Sequence, residues 1–85
     1  MNRHKSQDFP ALRLVVNGQD RVIRTVADAA ETLIYAWPSD DGEEYVVAVR
    51  ICLDALHDVV PALDVRAALI RAANEERIPH FSLEY

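Results

Sequence analysis

Leu12, Leu14 and Val16 alternate with Arg13 and Val15, the two-residue period of a strand with one buried face. A second short run, Arg21-Val22-Ile23-Arg24, follows it, with Asn17-Gly18 in between. Asn and Gly both tolerate positive φ. The residues 17–20 between the runs predict a hairpin whose loop is slightly longer than a two-residue turn. From Thr25 the period becomes helical: Val26, Ala29, Ala30, Leu33, Ile34 and Trp37 recur along one stripe. Thr25 and Asp28 have the spacing of a capping box. Pro38 ends this helix, because the residue before a proline is driven out of the α region.

An acidic turn, Ser39-Asp40-Asp41-Gly42, comes next. It offers Asp41 as an N-cap, and Glu43 and Glu44 fall where a helix N-terminus favours negative charge. Tyr45–Val60 opens with strand-forming residues, but its polar positions decide the assignment. Arg50, Asp54, His57 and Asp58 share one helical face, and Tyr45, Ala48, Val49, Cys52 and Leu56 form the opposite stripe. The segment is also long for a strand. It is predicted as a helix and, from the breadth of its apolar stripe, as the central one.

After Pro61-Ala62-Leu63, Asp64 is a candidate N-cap for a third helix, Val65–Glu76, with Leu69, Ala72 and Ala73 inward. Arg66, Arg71, Asn74, Glu75 and Arg77 read as solvated. Phe81, Leu83 and Tyr85 then alternate with His80, Ser82 and Glu84. Pro79 cannot donate to a ladder, so this reads as an edge strand. The predicted fold is α+β, in the order β-β-α-α-α-β. A small antiparallel sheet, the β-hairpin plus the C-terminal strand, is covered by three helices. Residues 1–10 are expected to be a flexible tail and residues 11–85 a single domain.

Composition narrows the functional classes. The chain has 85 residues, a net charge of -5, 51% hydrophobic and 27% charged residues, which is globular rather than disordered. An acidic chain is a poor phosphate tracker, so no nucleic-acid partner is expected. Apolar runs such as Tyr45–Val49 fall far short of the ~20 residues that span a bilayer, so no membrane association is expected. Asp8 and Pro10 follow Arg3, His4 and Lys5 where a signal peptide would place its apolar region. The single cysteine, Cys52, cannot pair within the chain, which fits a reducing cytoplasm. The sequence contains no CxxC, HExxH, GxGxxG or Walker-type loop, so no cofactor is expected.

The run Thr25…Ala29…Leu33 leading to Trp37-Pro38, the acidic turn with Gly42, Tyr45…Ala48…Cys52…Ala55-Leu56 and Arg66…Leu69…Ala72-Ala73 together resemble a known group. They resemble the short alphaproteobacterial proteins of domain-of-unknown-function family 982, over residues 12–80. The Trp-Pro pair followed by Ala-x-x-x-Cys-x-x-Ala-Leu is a fairly specific part of the resemblance. The family often has an aromatic at the position of Leu69 and Glu-Ala where this chain has Glu76-Arg77. The resemblance implies a small cytoplasmic α+β protein with a helix over Tyr45–Val60. It implies no activity.

Each chemistry-bearing residue has a plain reading beside the functional one. Cys52 lies on an apolar stripe, and His57 is about 140° around the helix from it at ~100° per residue, so the pair forms no dyad and Cys52 reads as core. Asp54, His57 and Asp58, at i, i+3 and i+4, are candidate metal ligands; a solvated helix face is the favoured reading. Trp37 closes the core where its helix stops, or serves recognition. If buried, its indole N–H needs an acceptor, which the following turn offers. Asp40-Asp41-Gly42-Glu43-Glu44 lacks the alternation of a calcium loop and reads as a capping turn. Arg13, Arg21 and Arg24, on or beside the hairpin, could form a small positive patch for an acidic partner; a solvated sheet face is the favoured reading.

Two functional classes remain. The first is a non-enzymatic protein-interaction or regulatory module, acting as a homodimer or with another protein partner. Its interaction candidates are Trp37, Arg66, Phe81, Leu83 and Tyr85. The second is a small-ligand or metal-binding protein using Asp54, His57 and Asp58.

Overall fold

The computed structural model describes residues 7–83. β1 (Asp8–Val16) and β2 (Gln19–Thr25) form the hairpin, α1 (Val26–Tyr35), α2 (Glu43–Leu56) and α3 (Ala62–Glu75) follow, and β3 (His80–Ser82) ends the chain. All pairing is antiparallel, and the strand order is β2-β1-β3. The C-terminal strand therefore pairs within its own chain. This is the α+β order expected from the periodicities.

The hairpin is tighter than its sequence spacing predicts. Val16 pairs with Gln19, leaving only Asn17 and Gly18 in the turn, with φ values of 54° and 79°. Two successive positive φ values match the right-handed twist of the strands, so pairing continues through residues the sequence pattern left in the loop. The Asn17 side chain also donates to the Ala36 carbonyl at 3.1 Å, tying the turn to the end of α1.

The tail boundary also moves. Of residues 1–10, residues 1–6 lie outside the described residues, but Asp8–Pro10 belong to β1 and Phe9 is buried. An irregularity between Asp8 and Leu12 switches the inward phase from odd to even, so Phe9 and the series Leu12, Leu14, Val16 all face the helices. Gln7 is anchored too: its carbonyl accepts from Val26 N–H at 3.0 Å and its side chain donates to the Ala55 carbonyl at 3.1 Å.

Thr25 caps α1, accepting from Asp28 N–H at 3.0 Å. The Asp28 carboxylate accepts from Arg24 N–H at 3.0 Å, one residue beyond the reciprocal bond of a capping box. The stripe facing inward is Val26, Ala29, Thr32 and Leu33. Thr32 fits there because its hydroxyl donates to the Asp28 carbonyl at 2.9 Å. Ile34, expected on the stripe, is 62% exposed.

α3 is the central helix, not α2. It packs on β1, α1 and α2 and buries Val65, Ala68, Leu69, Ala72 and Ala73. Its alanines let neighbouring backbones approach closely. It starts at Ala62, with Pro61 as N-cap and Asp64 in the first turn; proline needs no N–H bond there. α2 lies against α1 and α3 and buries only Ala48, Cys52 and Ala55. α2 and α3 end alike. Asp58 and Arg77 take φ values of 61° and 58°, and the residues after them, Val59 and Ile78, donate to Asp54 and Ala73 carbonyls at 2.8 Å. This is the Schellman closure. It stops α2 at Leu56, before the predicted end at Val60.

Candidate functional site

α2 ends before the last two of the three candidate metal ligands, Asp54, His57 and Asp58. His57 is the C-cap, and its Nδ1 lies 2.9 Å from the Leu53 carbonyl, so the ring is turned onto its own helix end. Asp58, in the left-handed region, is outside the helical phase that would set it beside Asp54. Among the described residues, no group of three or more His, Cys, Asp or Glu is placed to hold a metal ion.

Cys52 is buried between α1 and α2, and burial pushes its thiol up to about 11. Loss of hydration disfavours the thiolate. It borders a small apolar cavity of about 20 Å³, with Ala30, Leu33, Ile34, Val49 and Leu53.

Trp37 is partly buried and packs near Tyr45, with ring centroids 6.4 Å apart and an interplanar angle of 36°. Tyr45 donates its hydroxyl to the Leu33 carbonyl at 2.9 Å. The expected acceptor for the indole does not materialise: Trp37 Nε1 is buried without a hydrogen-bond partner. The acidic turn is drawn into its own contacts, with Ser39 Oγ donating to Asp41 Oδ1.

Arg66, read as solvated and as an interaction candidate, is hydrogen-bonded within the chain. Its Nε donates to the Pro10 carbonyl at 2.9 Å and its Nη2 to Ser82 Oγ at 2.8 Å, fastening α3 to β1 and β3. Phe81 stands on the sheet face away from the helices, opposite Arg13 in the register, and the Arg13 guanidinium lies 4.7 Å from its ring centroid. Leu83 donates its N–H to the Ala11 carbonyl at 3.0 Å. Tyr85 lies outside the described residues.

Residues read as solvated also carry structure. Glu75 accepts from Glu44 N–H at 3.1 and 3.0 Å and from Tyr45 N–H at 3.2 Å. It thus replaces the predicted Asp41 as the cap of α2, whose N-cap position is Gly42. A Cβ on Gly42 would meet Glu75 Oε1. Arg71 pairs with Glu44 at 3.4 Å, and Asn74 Oδ1 lies 2.9 Å from His80 Nε2.

The apolar surface that sequence reasoning missed lies on α1 and α2. Ile34, Val46 and Leu53 are all more than half exposed. Val46, Val49 and Leu53 line a shallow depression of about 350 Å³ with Tyr45, Arg50 and Asp54. Its signal in the sequence is the strand-like run Tyr45–Val49, which is apolar on more sides than one buried face uses.

The profile of a family described as protein of unknown function, DUF982, matches residues 11–79. The chain belongs to the DUF982 family. The matched span contains the whole α1–α2 surface and Arg66 and stops before Phe81. No curated protein and no solved structure matches the chain. No helix among its described residues is long and apolar enough to cross a membrane.

Proposed function

We propose that this chain is a non-enzymatic protein-interaction or regulatory module of the cytoplasm. The observation that carries the reading is the outer face of α2 with the adjoining end of α1: Ile34, Val46 and Leu53 are 62%, 52% and 53% exposed. Single exposed apolar residues are ordinary, but a grouped set around a depression is the mark of a contact surface. The helix has its inward stripe filled by Ala48, Cys52 and Ala55, so more than half of each of these larger side chains is left at the surface. The non-enzymatic reading is supported by three side chains: Cys52 is buried with its thiol raised to about 11, and Arg66 and Glu75 are hydrogen-bonded to backbone atoms.

The test is affinity capture from the native host with wild-type and Leu53→Glu baits. The variant is expected to keep the wild-type melting temperature and lose the captured protein, or self-association where the partner is a second copy. Equal capture and equal self-association by both baits would count against this surface.

A further inference from the structure

Resting on the interaction reading, we infer that the outward face of α2 pairs with the same face of a second copy, antiparallel, about a two-fold axis at the level of Cys52. In this arrangement Arg50 of each copy meets Asp54 of the other.

The helix itself supplies the pattern. Opposite the inward Ala48, Cys52 and Ala55 lie Val46, Arg50, Leu53 and His57, with successive spacings of about four, three and four residues, the repeat of a helix-pair seam. Val46 and Leu53 provide the apolar positions, and Ile34 of α1 borders them through the cavity it shares with Leu53.

The charges select the occupant. Arg50 and Asp54 both border the depression, and neither forms an ion pair or side-chain hydrogen bond with any described residue. Arg preceding Asp by one turn is the weaker orientation for pairing within a helix. The two positions are equidistant from residue 52. A two-fold axis there brings each guanidinium to the other copy's carboxylate and makes both ion pairs at once, as an isologous contact requires. The chain carries a net charge of -5, so two copies repel over most of their surfaces. The depression on this face is lined by one positive and one negative side chain around an apolar centre, so self-contact is least opposed there. A basic or acidic partner would leave one of the two charges facing its like.

The experiment is sedimentation equilibrium of the full chain over a wide concentration range. The wild type is expected to dimerise, and Arg50→Asp and Asp54→Arg are each expected to weaken the dimer by at least about tenfold, since each places like charges together. The double variant regains dimerisation. So does an equimolar mixture of the two single variants, in which every contact again joins opposite charges. Unchanged melting temperatures at low concentration establish that the variants fold. A wild type that stays monomeric, single variants that dimerise as well as the wild type, or a double variant that fails to recover each overturns the self-pairing. If the monomeric wild type captures a host protein and Leu53→Glu does not, only the identity of the partner is wrong. If capture is indifferent to Leu53→Glu, the interaction reading falls with it.

Discussion

Glu75, in the last turn of α3, caps α2: its carboxylate accepts from the Glu44 N–H at 3.1 and 3.0 Å and from the Tyr45 N–H at 3.2 Å. Glu75 and Glu44 are 31 positions apart in the chain. A carboxylate here satisfies free N–H groups and complements the helix dipole, although the sequence around it is already acidic. Arg71, one turn earlier on α3, holds the Glu44 side chain at 3.4 Å, so the repulsion between the two glutamates is relieved locally.

Glu75→Ala is expected to cost about 1 kcal/mol, as loss of a helix N-cap does. Glu75→Gln retains an acceptor and should cost less. Urea unfolding midpoints with an unchanged slope measure both. Equal stability of Glu75→Ala and wild type would show that the cap contributes nothing.

Arg66→Ala should cost about 1–2 kcal/mol, because it removes a charged donor from both the Pro10 carbonyl and Ser82. The loss should be local before it is global. Amide exchange at Leu83, whose N–H bonds Ala11, should accelerate more than exchange in α3. Uniform acceleration would place Arg66 outside the attachment of β3.

Trp37→Phe should lie within about 1 kcal/mol of wild type, while Trp37→Ala costs about 3 kcal/mol. Phenylalanine keeps an aromatic against Tyr45 and removes the buried, unpartnered Nε1. If both variants are equally destabilised, the indole nitrogen has an acceptor in solution.

Cys52 should resist labelling by thiol reagents at neutral pH unless the chain unfolds, because its thiol is buried and raised to about 11. In the unfolded chain it ionises at its ordinary value of 9.0. Its contribution to stability is therefore complete below that pH and lost as pH rises from 9.0 toward about 11. Cys52→Ala should cost about 1 kcal/mol at pH 7 and flatten this part of the decline. Unfolding midpoints against pH for the two proteins read the difference.

Arg77→Gly should stabilise the chain by up to about 1 kcal/mol. Arg77 holds φ at 58° to close the end of α3, a conformation that burdens any residue with a Cβ and leaves glycine free. A lower melting temperature in the variant would mean that the Arg77 side chain has a role of its own.

Element types and their order were readable from the chain, because each rests on local periodicity. Leu12, Leu14 and Val16 cannot all face one side except in a strand, and Thr25 with Val26, Ala29 and Leu33 marks the start and inward line of a helix. The burial of Cys52 followed from the same reasoning. Tertiary structure alone decided which helix is central, since α2 and α3 both carry apolar stripes and only packing ranks them. The small residues of α3 permit closer contact with β1, and the larger ones of α2 are left outward. It also decided where α2 stops. The left-handed turn at Asp58 depends on hydrogen bonds back to Ala55 and Asp54; aspartate enters that conformation more readily than most residues but does not dictate it. The roles of Glu75 and Arg66 were hidden for a further reason. A charged side chain on a helix reads as solvated until the fold brings a distant backbone N–H or carbonyl within its reach, and those partners lie 31 and 56 residues away.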